Sequence, residues 1–187
     1  MILTRNLDIA SAGEGTAQLL LRPLEASDAS SLAAAYRRNR DHLAPWEPVR
    51  ADEFFSTAGQ ATVMQGKLNL YEQGTEVPWV LTTAQGIFGM ITLSGIVRGP
   101  FLNANLGYWV DVACAGKGIA SAAVAAVVNM ATQELGLHRI QAATLAHNAA
   151  SQAVLKRSGF DRIGVAPSYL QIAGEWQDHV LFQRILF

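Results

Sequence analysis

Gly116, Lys117 and Gly118 stand between two stretches of different character. Before them, Leu106–Val112 is rich in aromatic and β-branched residues and reads as a strand. After them, an apolar run starts near Gly118, reaches about Leu135 and reads as a helix. The first N–H groups of a helix have no carbonyl partner inside it, and the macrodipole adds partial positive charge there. Glycine lets a ligand approach that backbone closely, because it carries no Cβ. The chemistry this permits is binding of a phosphate or diphosphate. An ordinary strand-to-helix turn uses the same residues, so the stretch alone leaves both readings open. Lys117 is either an aid to the anion or a solvated loop lysine.

Other segments must position that turn. Gln18–Leu24 is the first clear strand, ended by Pro23 or soon after, and Met1–Thr16 is ambiguous, with a turn at Gly13 and Gly15. A helix over Ala29–His42 follows a cap at Ser27 or Asp28. Pro45 and Pro48 make a stiff loop that carries Trp46 and Glu47. Trp46 is a packing anchor or the wall of a cleft. A second helix over Glu53–Gly74 bends around Gly59 and Gly66. Val77–Thr83 and Ile87–Leu93 form an antiparallel hairpin. The link Ser94–Asn103 returns the chain to Leu106–Val112. Gly136 stops the long helix, and Arg139–Leu145 is a strand. Asn148 caps a short helix, Ala149–Ser158, which Gly159 ends. Strands starting at Phe160 and covering Asp178–Leu186 close the chain. This is a mixed α/β order with a parallel crossover between Leu106–Val112 and Arg139–Leu145. A ligand is expected at the carboxyl ends of those two strands.

Composition narrows the function. The chain has 187 residues, half of them hydrophobic, enough for one domain with a sizeable core over 1–187. A net charge of −1 argues against a surface that wraps nucleic acid. One cysteine, Cys114, allows neither an intrachain disulfide nor a cysteine cluster for zinc, and fits a reducing cytoplasm. No metal is expected. The start MILTRNLDIAS lacks the apolar core of a signal peptide. The most apolar run, Gly118–Ala131, is shorter than the roughly 20 residues a membrane span needs. A homodimer is an open option that the sequence does not decide.

The segments GYWVDVACAGKGIASAAV and AHNAASQAVLKRSGF, in that order, resemble the GNAT acetyltransferases, most of all the RimJ/RimL type that acetylates the N-terminal amine of ribosomal proteins. LLLRPLEASDASSL near the start and GEWQDHVLF near the end resemble that type too, so the resemblance spans about Leu19 to Phe182. It implies a mostly antiparallel sheet with one splayed parallel pair, helices on both faces, and acetyl-CoA as co-substrate. The turn formed by Ala115, Gly116, Lys117, Gly118, Ile119, Ala120 and Ser121 is then expected to hold the pyrophosphate, mainly through the amides of Gly116, Gly118 and Ala120. Exposed backbone at Trp109, Val110, Asp111 and Val112 is expected to pair with the pantetheine arm as an added strand would. Asn148 is expected to bond the same arm near the thioester. Three positions depart from the family pattern: Ala115 replaces Gln or Arg, Leu155 falls where many relatives have a tyrosine acid, and Asn105 falls where a glutamate base often sits.

Acetyl transfer to an amine needs a neutral nucleophile, a polarised carbonyl and a proton for the departing thiolate. The RimJ/RimL type has a serine matching Ser151, which is expected to supply that proton, directly or through water; otherwise it bonds only to backbone. The N–H of Val110 is expected to polarise the carbonyl. Glu47 is the first candidate base and Glu175 the second, although an α-amine with a pKa of about 7.7–8.0 is partly neutral without help. His138 reads as structural. Cys114 has no evident histidine partner for covalent catalysis. The expected acceptor is a protein N-terminus, possible alternatives being a small amine such as an antibiotic or amino-acid derivative, or a non-catalytic CoA-binding role.

Overall fold

The computed structural model describes residues 3–9 and 17–187. The strands are β1 (Arg5–Ile9), β2 (Ala17–Pro23), β3 (Val77–Thr83), β4 (Gly86–Val97), β5 (Asn103–Val110), β6 (Arg139–Leu145), β7 (Asp161–Ile172) and β8 (Glu175–Ile185). The α-helices are α1 (Ala29–Arg38), α2 (Arg40–Leu43), α3 (Thr57–Glu72), α4 (Ile119–Gln133) and α5 (Ala149–Arg157). The strands form one sheet in the order β1-β2-β3-β4-β5-β6-β8-β7. Every adjacent pair is antiparallel except β5 and β6, which the α4 crossover makes parallel.

Strand alternation sends side chains to two cores. On one face, Trp79, Leu81, Ile91, Leu93 and Ile140 pack against Val124, Val127, Val128 and Ala131 of α4 and Leu155 of α5. On the other, Val80, Ile87 and Met90 pack against Leu32, Ala35 and Tyr36 of α1 and Met64 of α3. The α4 run is apolar on most sides, and its alanines bring it close to the sheet. Gly136, at φ 60°, ends it, and the Leu137 N–H returns to the Ala131 carbonyl at 2.9 Å.

Several boundaries differ from the sequence expectation. The helix expected over Ala29–His42 breaks at Asn39, whose buried side chain is directed to the end of β5. The helix expected from Glu53 begins at Thr57, where the Ser56 hydroxyl accepts from the Gly59 N–H at 2.9 Å; residues Asp52–Phe55 form a separate 3-10 turn. That turn lies so close that a Cβ on Gly59 would sit 2.0 Å from the Glu53 carbonyl oxygen. β4 runs on to Val97 and β5 starts at Asn103, so the link between them is short. β7 continues through Pro167, because a register shift between Ala166 and Leu170 takes up the proline and Ser168. Met1–Thr16, expected to be ambiguous, includes β1, which pairs with β2; the turn expected at Gly13 and Gly15 lies outside the described residues.

Candidate active site

β5 and β6 are paired at Asn103–Arg139, Ala104–Ile140 and Asn105–Gln141, and not beyond. β5 instead follows β4 as far as Val110 opposite Gly89, while β6 follows β8 as far as Leu145 opposite His179. The two strands therefore part towards their carboxyl ends. A cavity of about 240 Å³ opens between them, bounded by Gly107 and Tyr108, Ala143 to Leu145, and Asn148 and Ser151. A second, of about 390 Å³, adjoins it and is bounded by Asn105, Gln141, Tyr169 and Leu170.

Alternation decides which amides of β5 face the gap. The Asp111 N–H donates to the Phe88 carbonyl of β4 at 2.8 Å, so Trp109, two residues earlier, also turns its backbone to β4. Tyr108 and Val110 turn theirs the other way. This corrects part of the expected backbone site. Trp109 and Asp111 face the wrong edge, and the Val112 N–H is already donated to Asn39 Oδ1 at 2.9 Å. Only Val110, of the four residues expected to pair with a ligand, keeps its N–H towards the gap.

Asp111 instead anchors the exit of β5. Its fully buried carboxylate accepts from Arg38 Nε at 2.7 Å, from Asn39 Nδ2 at 2.9 Å and from the Ala113 N–H at 2.9 Å. Burial pushes its pKa up, but the bonds from Asn39, Ala113 and Arg38, with the charge of Arg38, outweigh burial and hold it below the ordinary value.

The chain then turns into α4. The N–H groups of Ala115 and Lys117 bond back to Val112 and Cys114, so within the expected turn these two amides are taken up by the chain itself. The amides of Gly116 and Gly118 have no partner among the described residues, and those of Ile119, Ala120 and Ser121 form the first turn of α4. Gly116 and Gly118 have φ of 74° and 77°, which glycine adopts readily, and a Cβ on either would meet nothing within 4 Å. Ser121 Oγ is buried and has no hydrogen-bond partner among the described residues. Free donors around open space at a helix start fit a diphosphate. The Lys117 side chain is exposed at its edge.

The opposite wall of the gap is α5. Asn148 Oδ1 caps it by accepting from the Ser151 N–H at 3.0 Å, and Asn148 Nδ2 has no partner among the described residues. The Ser151 hydroxyl lies 2.9 Å from the Tyr108 hydroxyl. Burial pushes the Tyr108 phenol up to about 12, against the opposing effect of Ser151, so it stays protonated at neutral pH. The sequence reading missed Tyr108. Leu155, where a phenol was sought, is buried in the core; the phenol arrives from β5 instead. The signal was the alternation in Leu106-Gly107-Tyr108, which aims Tyr108 at the α5 side.

Glu47 does not join Ser151. It borders a separate cavity of about 310 Å³ with Tyr36, Arg50 and Phe55. Burial raises its pKa, and Arg50, 3.8 Å away, opposes that. Its neighbour Trp46 does border the Ser151 cavity, with its ring 5.4 Å from that of His147. Glu175 is exposed at the start of β8 and borders none of these cavities. His138 meets Phe187 edge to face, with ring centroids 5.3 Å apart. Cys114 is half-buried, and burial together with the Asp111 charge pushes its thiol up, away from the reactive thiolate. Among the described residues no three His, Cys, Asp or Glu side chains stand close enough to hold a metal, and no helix is long and apolar enough to cross a membrane.

Residues 18–161 match the model of the acetyltransferase (GNAT) domain, and the chain belongs to that family of acyltransferases. Within the family it is similar to the RimJ/RimL-type enzymes. It is 36% identical over 169 residues to the [ribosomal protein uS5]-alanine N-acetyltransferase of Escherichia coli strain K12, covering 89% of this chain and 87% of that protein. The structure of the ribosomal-protein-S5-alanine acetyltransferase from Vibrio fischeri superposes with a TM-score of 0.85 at 36% identity, over 89% of this chain and 92% of that one. Mycobacterium smegmatis RimJ in complex with CoA-disulfide superposes with a TM-score of 0.89 at 28% identity, over 97% and 86%.

Proposed function

We propose that the protein is an acetyl-CoA-dependent N-acetyltransferase acting on the α-amino group of a protein N-terminus, with ribosomal proteins as the substrate class. The E. coli and V. fischeri relatives are named for that reaction on a ribosomal protein. The observation that carries the reading is the gap itself. An unpaired strand edge forms one wall, the hydroxyl of Ser151 on α5 meets that of Tyr108 on β5, and free amides of Gly116 and Gly118 follow the end of β5 in the chain.

Each part has a role in this reading. Gly116, Gly118 and the first turn of α4 hold the diphosphate, with Ser121 beside them. The inner edge of β5 at Tyr108 and Val110 pairs with the amides of the pantetheine arm, as an added strand would. Asn148 Nδ2 donates to the same arm. The Val110 N–H faces the thioester oxygen, where negative charge develops during transfer. Ser151, backed by Tyr108, gives a proton to the departing sulfur. Trp46 walls the acceptor side, and Glu47 flanks the approach through the neighbouring cavity.

The test is direct. Purified protein receives acetyl-CoA and peptides that begin with a free alanine, and mass spectrometry locates the product. Acetylation of the α-amine, and not of lysine side chains, is expected. Turnover of small free amines with none of any peptide overturns the substrate class.

A further inference from the structure

His179 is buried on β8, opposite Leu145 of β6 and Ala166 of β7, and borders the same cavity as Ser151 and Tyr108. We propose that His179 Nε2 accepts the proton of the incoming amine. This inference rests on the acetyltransferase reading and names a residue for a step that reading left without one.

The tautomer follows from a hydrogen bond. His179 Nδ1 lies 2.9 Å from the Gln177 carbonyl oxygen. A carbonyl only accepts, so in the neutral ring Nδ1 carries the hydrogen and Nε2 carries the lone pair. Nε2 has no hydrogen-bond partner among the described residues.

The inventory of the cavity points the same way. Among the described residues no aspartate, glutamate, lysine or arginine borders it. Tyr108 keeps its proton at neutral pH, because burial moves its pKa to about 12. Glu47 borders a different cavity. The titratable groups around the imidazole are Tyr108 across the gap and Tyr169 of β7, whose ring is 5.7 Å away. Asp178, next in the chain, is engaged by the Ser168 N–H at 2.9 Å. The imidazole is thus the side chain bordering this cavity that presents a free basic nitrogen to it.

Its side of the sheet also fits. Val180 and Phe182 face the core under α4 and α5, so His179 between β6 and β7 points to the opposite face. Ser151 reaches the gap from the α5 side. A proton acceptor and a proton donor therefore flank the gap from opposite faces. As the amine nitrogen bonds the carbonyl carbon, His179 Nε2 takes one proton from that nitrogen. As the carbon–sulfur bond breaks, the sulfur keeps the bonding pair and takes one proton from Ser151. The products are an amide and a thiol; solvent removes the proton from His179 and restores that of Ser151.

Three measurements test this. In the free wild-type protein, nitrogen NMR of the imidazole is expected to show a protonated Nδ1 and an unprotonated Nε2; the reverse tautomer overturns the proposal. His179→Asn keeps an N–H for the Gln177 carbonyl and removes the base. It is expected to lower kcat about 100-fold, while the Kd for CoA by calorimetry stays within about twofold. His179→Ala is expected to regain turnover with added imidazoles, in proportion to their basicity. A kcat for His179→Asn within about threefold of wild type, or rescue indifferent to basicity, overturns the proposal. If His179→Ala does not fold, the tautomer and His179→Asn still decide. Wild-type protein that acetylates no amine at all would overturn the function proposed above as well, whereas an active wild type matched by His179→Asn would overturn only the role of His179.

Discussion

The two halves of β5 have opposite surroundings. From Asn103 to Asn105 the strand is paired on both edges; from Leu106 to Val110 it is paired on one. The lower half is sheet, and the upper half is a wall with free backbone groups. The difference comes from the partners. β4 holds β5 up to Val110, and the buried Asp111 ties the strand exit to α1, while β8 holds β6 up to Leu145. Unpaired backbone is costly when buried without a ligand, so a gap of this kind between two long strands points to something that fills it.

The largest expected effect comes from loosening that anchor. Asp111→Ala removes the acceptor for Arg38 and Asn39 and is expected to cost about 3 kcal/mol in a denaturant melt, with weaker CoA binding as β5 loses its exit point. If stability falls and CoA affinity holds, the anchor does not set the gap. The anchor also has a pH signature. Because the folded pKa of Asp111 lies below its ordinary 3.8, its contribution is complete above that value and is lost as pH falls through the folded one. The stability difference between wild type and Asp111→Asn is expected to be constant near neutrality and to shrink only in acid.

Gly118→Trp fills the space at the head of α4 and strains a residue at φ 77°. Calorimetry is expected to show a loss of CoA affinity of about 100-fold or more, roughly 2.7 kcal/mol; unchanged affinity would contradict the diphosphate site. Ser151→Ala is expected to lower kcat by about 100-fold and leave CoA affinity nearly unchanged, and Tyr108→Phe to do the same by about 10-fold. Equal losses in kcat and affinity would make the hydroxyl pair a binding element of the upper wall.

The smallest effect concerns the neighbouring cavity. Burial raises the pKa of Glu47 above its ordinary 4.5, so its ionised form is disfavoured in the fold. Glu47→Gln is expected to stabilise the protein at pH 7 by about 0.5 kcal/mol, with the gain fading as pH falls through the raised pKa towards the ordinary one. A large drop in kcat from this substitution would move the proton acceptor from His179 to Glu47.

Much of this architecture is legible along the chain. The β6 span Arg139–Leu145 was readable to the residue, and α4, α5 and their glycine stops were readable within a few residues, because period, caps and turn residues are local. The break at Asn39 was not, since its cause is a hydrogen bond to Asp111, seventy-two positions further along. Nor was the length of β7, where a bulge absorbs Pro167 that locally reads as a stop.

The candidate site divides along the same line. Gly116, Gly118, Asn148 and Ser151 belong to short motifs whose chemistry needs only neighbours in the chain, so their types and spacing point to them directly. Which amides of β5 face the gap, that Tyr108 meets Ser151 and that Glu47 does not, depend on strand register and on the parting of β5 from β6. A shift of one residue in register would send every side chain of a strand to the other face. That choice is made by contacts between segments far apart in the chain, so it is decided only when the sheet assembles.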